Sequence, residues 1–329
     1  MRKISFHLLF IFLLVTLAAC GKAGQAKQAN PEDDEAVPVR LGILRSAQPL
    51  SLSDEGGPLY KRLEAAGAKV EKTGGFAAMS PAIEALNADS IDITIGSITA
   101  AISALVGGSS EFTIFTKQPG DQDNQGIVAK PESGIKSPSD LRGKKIAVNR
   151  GGTGEYLLYK ALEKGGLNAS EVEIVYLPPT EAGPAFESGQ VDAWATWGSF
   201  TAVALVDFGA ELVISAGDIE SDNDTVYIVR NGFLKEHPKL LYEVFEGLNE
   251  ESALLSEDVD NTVQLIQDIQ GVSEPVARQQ LEGSLFPLDP IDDTVRQRWQ
   301  EVADYMFEKG IIPNEVDVIS NTVDVRTLK

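Results

Sequence analysis

The stretch KKIAVNRGGTGEYLLYKALEKGGL, residues 144 to 167, changes its hydrophobic period once, at a glycine-rich turn. Before the turn, Ile146, Ala147 and Val148 make a short apolar run of the kind that is buried on both faces of a parallel sheet. After it, Leu158, Ala161 and Leu162 recur three and four residues apart, as on one face of a helix that ends at Gly165 and Gly166. Strand, turn and helix in that order open a β-α-β unit. EVEIVYL (171 to 177) supplies the next strand, AGPAFESGQ (182 to 190) a second helix and VDAWATW (191 to 197) a third strand.

Upstream, the same five elements recur in the same order. VRLGILR (39 to 45), AKVEKT (68 to 73) and IDITIGS (91 to 97) read as strands, separated by the helices PLYKRLEAAG and PAIEALNA. Two α/β lobes follow, each a parallel sheet covered by helices. GIVAK (126 to 130) and VYIVR (226 to 230) are apolar strands without helical partners, one on each side of the second copy. They read as the crossovers between lobes and as the hinge, which makes the first lobe discontinuous: residues 38–126 and 229–329, with the second lobe at 127–228. From Phe233 onward the chain turns helical. The last helix carries Val295, Trp299, Val302, Tyr305 and Met306 on one face, and the whole helical layer is expected on the first lobe, without chemistry of its own.

The ends fix the compartment. Arg2 and Lys3 precede an apolar run of about 16 residues that closes in Leu17, Ala18, Ala19 and Cys20, the pattern of an export signal. Leu-Ala-Ala-Cys resembles the bacterial lipobox, so residues 1–20 are expected to be a lipoprotein signal and Cys20 a lipid attachment point. Residues 21–37 have no apolar periodicity and read as a disordered tether. With Cys20 the only cysteine, the folded part holds no disulfide, thiolate metal site or cysteine nucleophile. Of two histidines, His7 lies in the signal and His237 in Lys-Glu-His-Pro reads as a solvated helix-start residue, which weakens hydrolytic and metal chemistry. A net charge of −21 argues against nucleic acid.

In open parallel sheets ligands collect beyond the carboxyl ends of the strands. That rule places the loops at 46–48, 73–80, 97–99, 151–155 and 194–200 around one cleft, with Ser46, Gln48, Ser97, Thr99, Thr153, Gly154, Glu155 and Trp197 as candidate ligand contacts. The helix opening at Thr153 and Gly154 offers uncapped N–H groups to a carboxylate, sulfonate, phosphate or nitrate, although a turn that needs glycine for backbone reasons alone reads the same way. The turn lacks the Gly-Lys-Ser/Thr ending of a nucleotide loop and the GxGxxG spacing. Glu155 either competes for those N–H groups or receives a ligand ammonium, so the ligand's charge stays open. Arg45 and Arg150 are the cations at strand ends. Trp194 is either core or wall; Trp197, at the strand end, is the better wall.

Four stretches also carry a resemblance. LRGKKIAVNRGGTGEYLLYKALEKGGL followed by VEIVYLPPTEAGPAFESGQVDAWATW, together with ALNADSIDITIGS and VADYMFEKGIIPNEVDVISNTVD, resembles the sulfonate, nitrate and taurine family of ABC-transporter substrate-binding proteins. The resemblance implies a periplasmic-binding-protein fold with two crossings between lobes; with His237 the one histidine beyond the signal, no enzymatic activity, cofactor or metal is expected. It also implies closure on a small ligand and delivery to permease subunits driven by a cytoplasmic ATPase, by a monomer tethered outside the cytoplasm. Two positions depart from the family pattern. Glu155 stands where His or a small residue is common, and Trp197, Gly198, Ser199, Phe200 replace Trp-Asp-Pro-Tyr. The ligand is therefore open between sulfonates, nitrate, bicarbonate, aromatic acids and heterocyclic vitamin precursors, and a sensory role beside a membrane receptor is the alternative to transport.

Overall fold

A computed structural model of the chain describes residues 36–108, 111–281 and 287–329. The expected signal, tether and Cys20 lie outside the described residues, apart from the tether's last two positions. The first sheet contains β1 (Val37–Leu44), β2 (Ala68–Phe76), β3 (Ile93–Ser97) and β4 (Phe112–Gln118), and the second contains β5 (Gln125–Ala129), β6 (Lys145–Val148), β7 (Glu173–Tyr176), β8 (Ala193–Trp197) and β9 (Glu211–Ser215). The last strand, β10 (Thr225–Arg230), returns to the first sheet, giving the orders β2-β1-β3-β10-β4 and β7-β6-β8-β5-β9. The helices of the two repeats are α1 (Pro49–Leu52), α2 (Pro58–Ala65), α3 (Met79–Asn87) and α4 (Ile98–Leu105), then α5 (Thr153–Lys164), α6 (Pro179–Glu187) and α7 (Gly198–Val206). The two lobes of the periplasmic-binding-protein fold are built on these sheets.

GIVAK and VYIVR are not the crossings themselves. β5 and β10 sit inside the sheets, each antiparallel to both neighbours, while the chain changes sheet in residues 119–124 and 216–224. The boundary expected after residue 228 falls inside β10, which belongs wholly to the first sheet. The reversed direction has a simple cause. The other strands of each sheet run toward the cleft, so a chain arriving from the opposite lobe enters at the cleft and must run away from it. The two crossing segments touch: a Cβ on Gly120 would meet the Asn223 carbonyl oxygen at 2.4 Å.

The repeat persists in atomic detail. Asp92, just before β3, accepts the Arg40 N–H at 3.0 Å, and Asp192, just before β8, accepts the Lys145 N–H at 2.8 Å. In both lobes a carboxylate thus fastens the start of the third strand to the first. The helical layer comprises α8 (Asn231–Glu236), α9 (Pro238–Glu257), α10 (Val259–Gln270), α11 (Glu274–Leu281) and α12 (Asp293–Glu308). α9 packs on α2, and α12 buries Trp299 and Met306 against α4 in the first-lobe core. The layer is not confined to that lobe, however. α11 lies against α7 of the second lobe, and Lys309, just after α12, pairs with Glu163 of α5 at 2.6 Å. Trp194 is core, packed on Phe186 with Ala182 and Ala204 nearby.

Candidate ligand-binding cleft

The carboxyl ends of β1, β3, β4 and β8 meet at one cleft. Its empty space is about 1200 Å³ with the solvent at its mouth included. Five of the expected contacts line it: Ser46, Gln48, Ser97, Thr153 and Trp197, with Arg45 beside them. Three do not. Thr99 is fully buried behind Ser97. Gly154 packs against the sheet, where a Cβ would meet the Ala195 carbonyl oxygen at 2.5 Å, so the residue is glycine for close helix–strand approach. Glu155 is buried and turned back on its own lobe, accepting the Gly151 N–H at 2.6 Å and the Tyr176 hydroxyl at 2.5 Å. Burial first, and that bond second, push the Tyr176 phenol above its ordinary pKa, which keeps the donor protonated. Both carboxylate oxygens of Glu155 are thus engaged within its own lobe, away from the cleft lining. Arg150 stacks on the Tyr176 ring at 3.5 Å and is absent from the cleft wall.

What faces the cleft is backbone as much as side chain. Helices α3, α5 and α7 all begin there, after Ala78, Gly152 and Trp197, none of which supplies a side-chain cap. The N–H groups of Met79, Ser80, Thr153, Ser199 and Phe200 find no acceptor among the described residues, and all five residues line the cleft. Helix α4 differs. Its first three N–H groups are taken by the Asp224 carbonyl at 2.9 Å, by Asn223 Oδ1 at 3.4 Å and by Ser97 Oγ at 3.2 Å. Three helix N-termini thus aim donors and positive dipole ends at one space.

The side chains agree with that polarity. Among the described lining residues Arg45 is the one cation and Asp121 the one acid. Asp121 is turned to its own loop, accepting from the Asp123 and Asn124 N–H groups and from Asn124 Nδ2 at 2.9 to 3.1 Å. One wall is apolar, with Trp197 and Phe200 edge to face at 5.7 Å and Leu44, Met79 and Ile95 across the first lobe. Asn223, Gln125 and Gln280 also line the space and were absent from the sequence expectation. Gln125 borders the first crossing segment and Asn223 lies in the second, and their polarity beside GIVAK and VYIVR was the available signal. Gln280 had none, because α11 reaches the cleft only through the helical layer.

Comparison with known proteins agrees with this architecture. The family model described as NMT1/THI5 like matches residues 117–250. A protein of Bacillus subtilis (strain 168) named for binding aliphatic sulfonates is 30% identical over 322 residues, covering 97% of this chain and 94% of its own. The crystal structure of the periplasmic aliphatic sulphonate binding protein SsuA from Escherichia coli superposes with a TM-score of 0.78 at 25% identity, covering 86% of this chain and 91% of that one. At 16% identity a desulfurization enzyme shares the fold, with a TM-score of 0.64 over 89% of this chain and 98% of its own. With nearly the whole chain matched at 30% identity, the protein belongs to the sulfonate, nitrate and taurine family of ABC-transporter substrate-binding proteins.

Proposed function

We propose that this protein captures a small organic anion, of the sulfonate class, in the interlobe cleft outside the cytoplasm and delivers it to the permease of an ABC importer. The observation that carries the reading is the convergence of three uncapped helix N-termini on a cleft where the one acid among the described lining residues is already engaged. Partial positive charge of that kind stabilises a negative ligand without the cost of burying a mobile cation. In this reading Ser46, Gln48, Ser97, Thr153 and Trp197 touch it, a choice supported by their lining the cleft together with Arg45. Trp197 and Phe200 favour a ligand with an apolar tail over a bare inorganic ion. A binder rather than a catalyst is the reading that fits amides, hydroxyls and backbone donors around the cleft. The lipobox-like ending at Cys20 adds membrane attachment to the proposal.

The test is a thermal-shift panel on the purified protein, with alkanesulfonates, taurine, nitrate, aromatic acids, sugars and amines. A ligand at about a thousand times its dissociation constant adds roughly 4 kcal/mol, so alkanesulfonates are expected to raise the midpoint by several degrees. Stabilisation by amines or sugars alone would refute the anion assignment. Fractionation of cells expressing Cys20→Ser addresses the anchor: the variant should leave the membrane fraction, and retention there would contradict lipidation.

A further inference from the structure

Asn223 stands on the second crossing segment, 1% exposed, where the two lobes and the cleft meet. Its Oδ1 accepts from the Thr99 N–H at 3.4 Å and the Thr99 hydroxyl at 2.9 Å, both in the first turn of α4. Its Nδ2 donates to Gln125 Oε1 and to the Thr153 hydroxyl, each at 3.0 Å, on β5 and in the first turn of α5. The orientation of the amide is fixed by chemistry. A backbone N–H can only donate, so the atom facing Thr99 must be the oxygen and the nitrogen must face the second lobe. One neutral side chain thus ties the N-terminus of a helix in each lobe and forms part of the cleft surface. A carboxylate would have the same shape and could take the same place. Thr153 could turn its hydroxyl to donate, Gln125 could present its amide nitrogen, and two helix dipoles would welcome the charge.

We propose that Asn223 determines the ligand's charge: because the side chain joining the two helix ends is neutral, the positive potential of the cleft is left to an anionic ligand. The proposal rests on the anion reading of the cleft. It makes Asn223 a positioning and specificity residue whose role depends on its lack of charge as well as on its bonds. The ionisable groups around it are already accounted for. Asp121 is engaged by its own loop, Asp222 and Asp224 pair with Arg298 of α12, and Arg45 lies on the cleft surface.

Asn223→Asp separates charge from structure. Calorimetric titration of the purified wild type and of Asn223→Asp with butanesulfonate at pH 7.5 is the experiment, alongside ligand-free melting. The variant should melt within a few degrees of wild type yet bind butanesulfonate roughly ten- to a hundredfold more weakly, the size of one unit charge at close range in a partly screened site. Asn223→Ala, which gives up the same bonds without adding a charge, should bind butanesulfonate more tightly than Asn223→Asp while melting lower. Equal affinity of the two proteins at pH 7.5 would overturn the proposal and leave the anion reading standing. So would Asn223→Ala binding as weakly as Asn223→Asp in step with its lower melting point, which marks a purely structural residue. A wild type that binds neither butanesulfonate nor any other anion of the panel would sink the anion reading, and the proposal with it.

Discussion

Glu155 shows how far a single residue can be read from sequence. Its place in the first turn of α5 was legible, but the partner that decides its role was not. Tyr176 is 21 positions away and meets it only because β7 pairs with β6 in parallel register, bringing Tyr176 beside Val148. The carboxylate then serves the turn instead of the ligand. Glu155→Ala should remove the acceptor of the Gly151 N–H and cost about 1–3 kcal/mol in urea unfolding. Butanesulfonate affinity should change less than about threefold by calorimetry, since the deletion leaves the cleft's own donors in place. A large loss of affinity with unchanged stability would return Glu155 to the site. Asn223 is the opposite case. In SDNDTVY it reads as one polar residue of a loop, and only the tertiary fold brings Thr99, Gln125 and Thr153 around its amide.

At the scale of elements, strands and helices of the two repeats were readable because each repeat alternates short apolar runs with amphipathic helices. The sheet positions of β5 and β10 were not readable, since an apolar strand looks alike at an edge, in the middle of a sheet or at a crossing. β4 and β9 were missed for a related reason: each pairs with a strand that arrives from the other lobe, so no local β-α-β pattern announces it. At the end of the first sheet remote from the cleft, Asp92 joins β1, β3 and β10. It binds Arg40 at 2.7 Å and Arg230 at 2.8 Å. Burial pushes the Asp92 carboxyl up, but hydrogen bonds from the two guanidinium groups outweigh it and hold the group below its ordinary range. A carboxyl lowered in the folded state stabilises fully above its unfolded pKa, and that contribution disappears as pH falls through the folded value. Asp92→Asn should therefore cost about 2–3 kcal/mol at pH 7, below the 3–5 kcal/mol of a fully buried broken pair because both guanidinium groups reach water. Denaturant melts should show the gap between wild type and variant closing below about pH 4, with ligand affinity at neutral pH unaffected. A gap that stays constant into acid would contradict this role.

At the scale of the molecule, strand direction, helix polarity and the crossings follow from one another. Strands that end at the cleft hand the chain to helices that begin there, so each β-α unit delivers a helix N-terminus to the same space. The crossings take up one of those ends, that of α4, and leave α3, α5 and α7 to the ligand. The two-lobed plan and the cleft's location were legible from the repeat. Which helix ends remain available was not, because it depends on where Asn223 and Asp224 fall when the chain returns. The reach of α11 across to α7 was equally hidden, as its sequence records an amphipathic helix but not its neighbour. The central claim is that an anion seats on the exposed backbone donors of those three helices. The direct measurement is a titration of the isotopically labelled protein with butanesulfonate, following backbone amide resonances. The largest downfield shifts should fall on Met79, Ser80, Thr153, Ser199 and Phe200; saturable binding that leaves these five amides unmoved and shifts another surface would contradict the account.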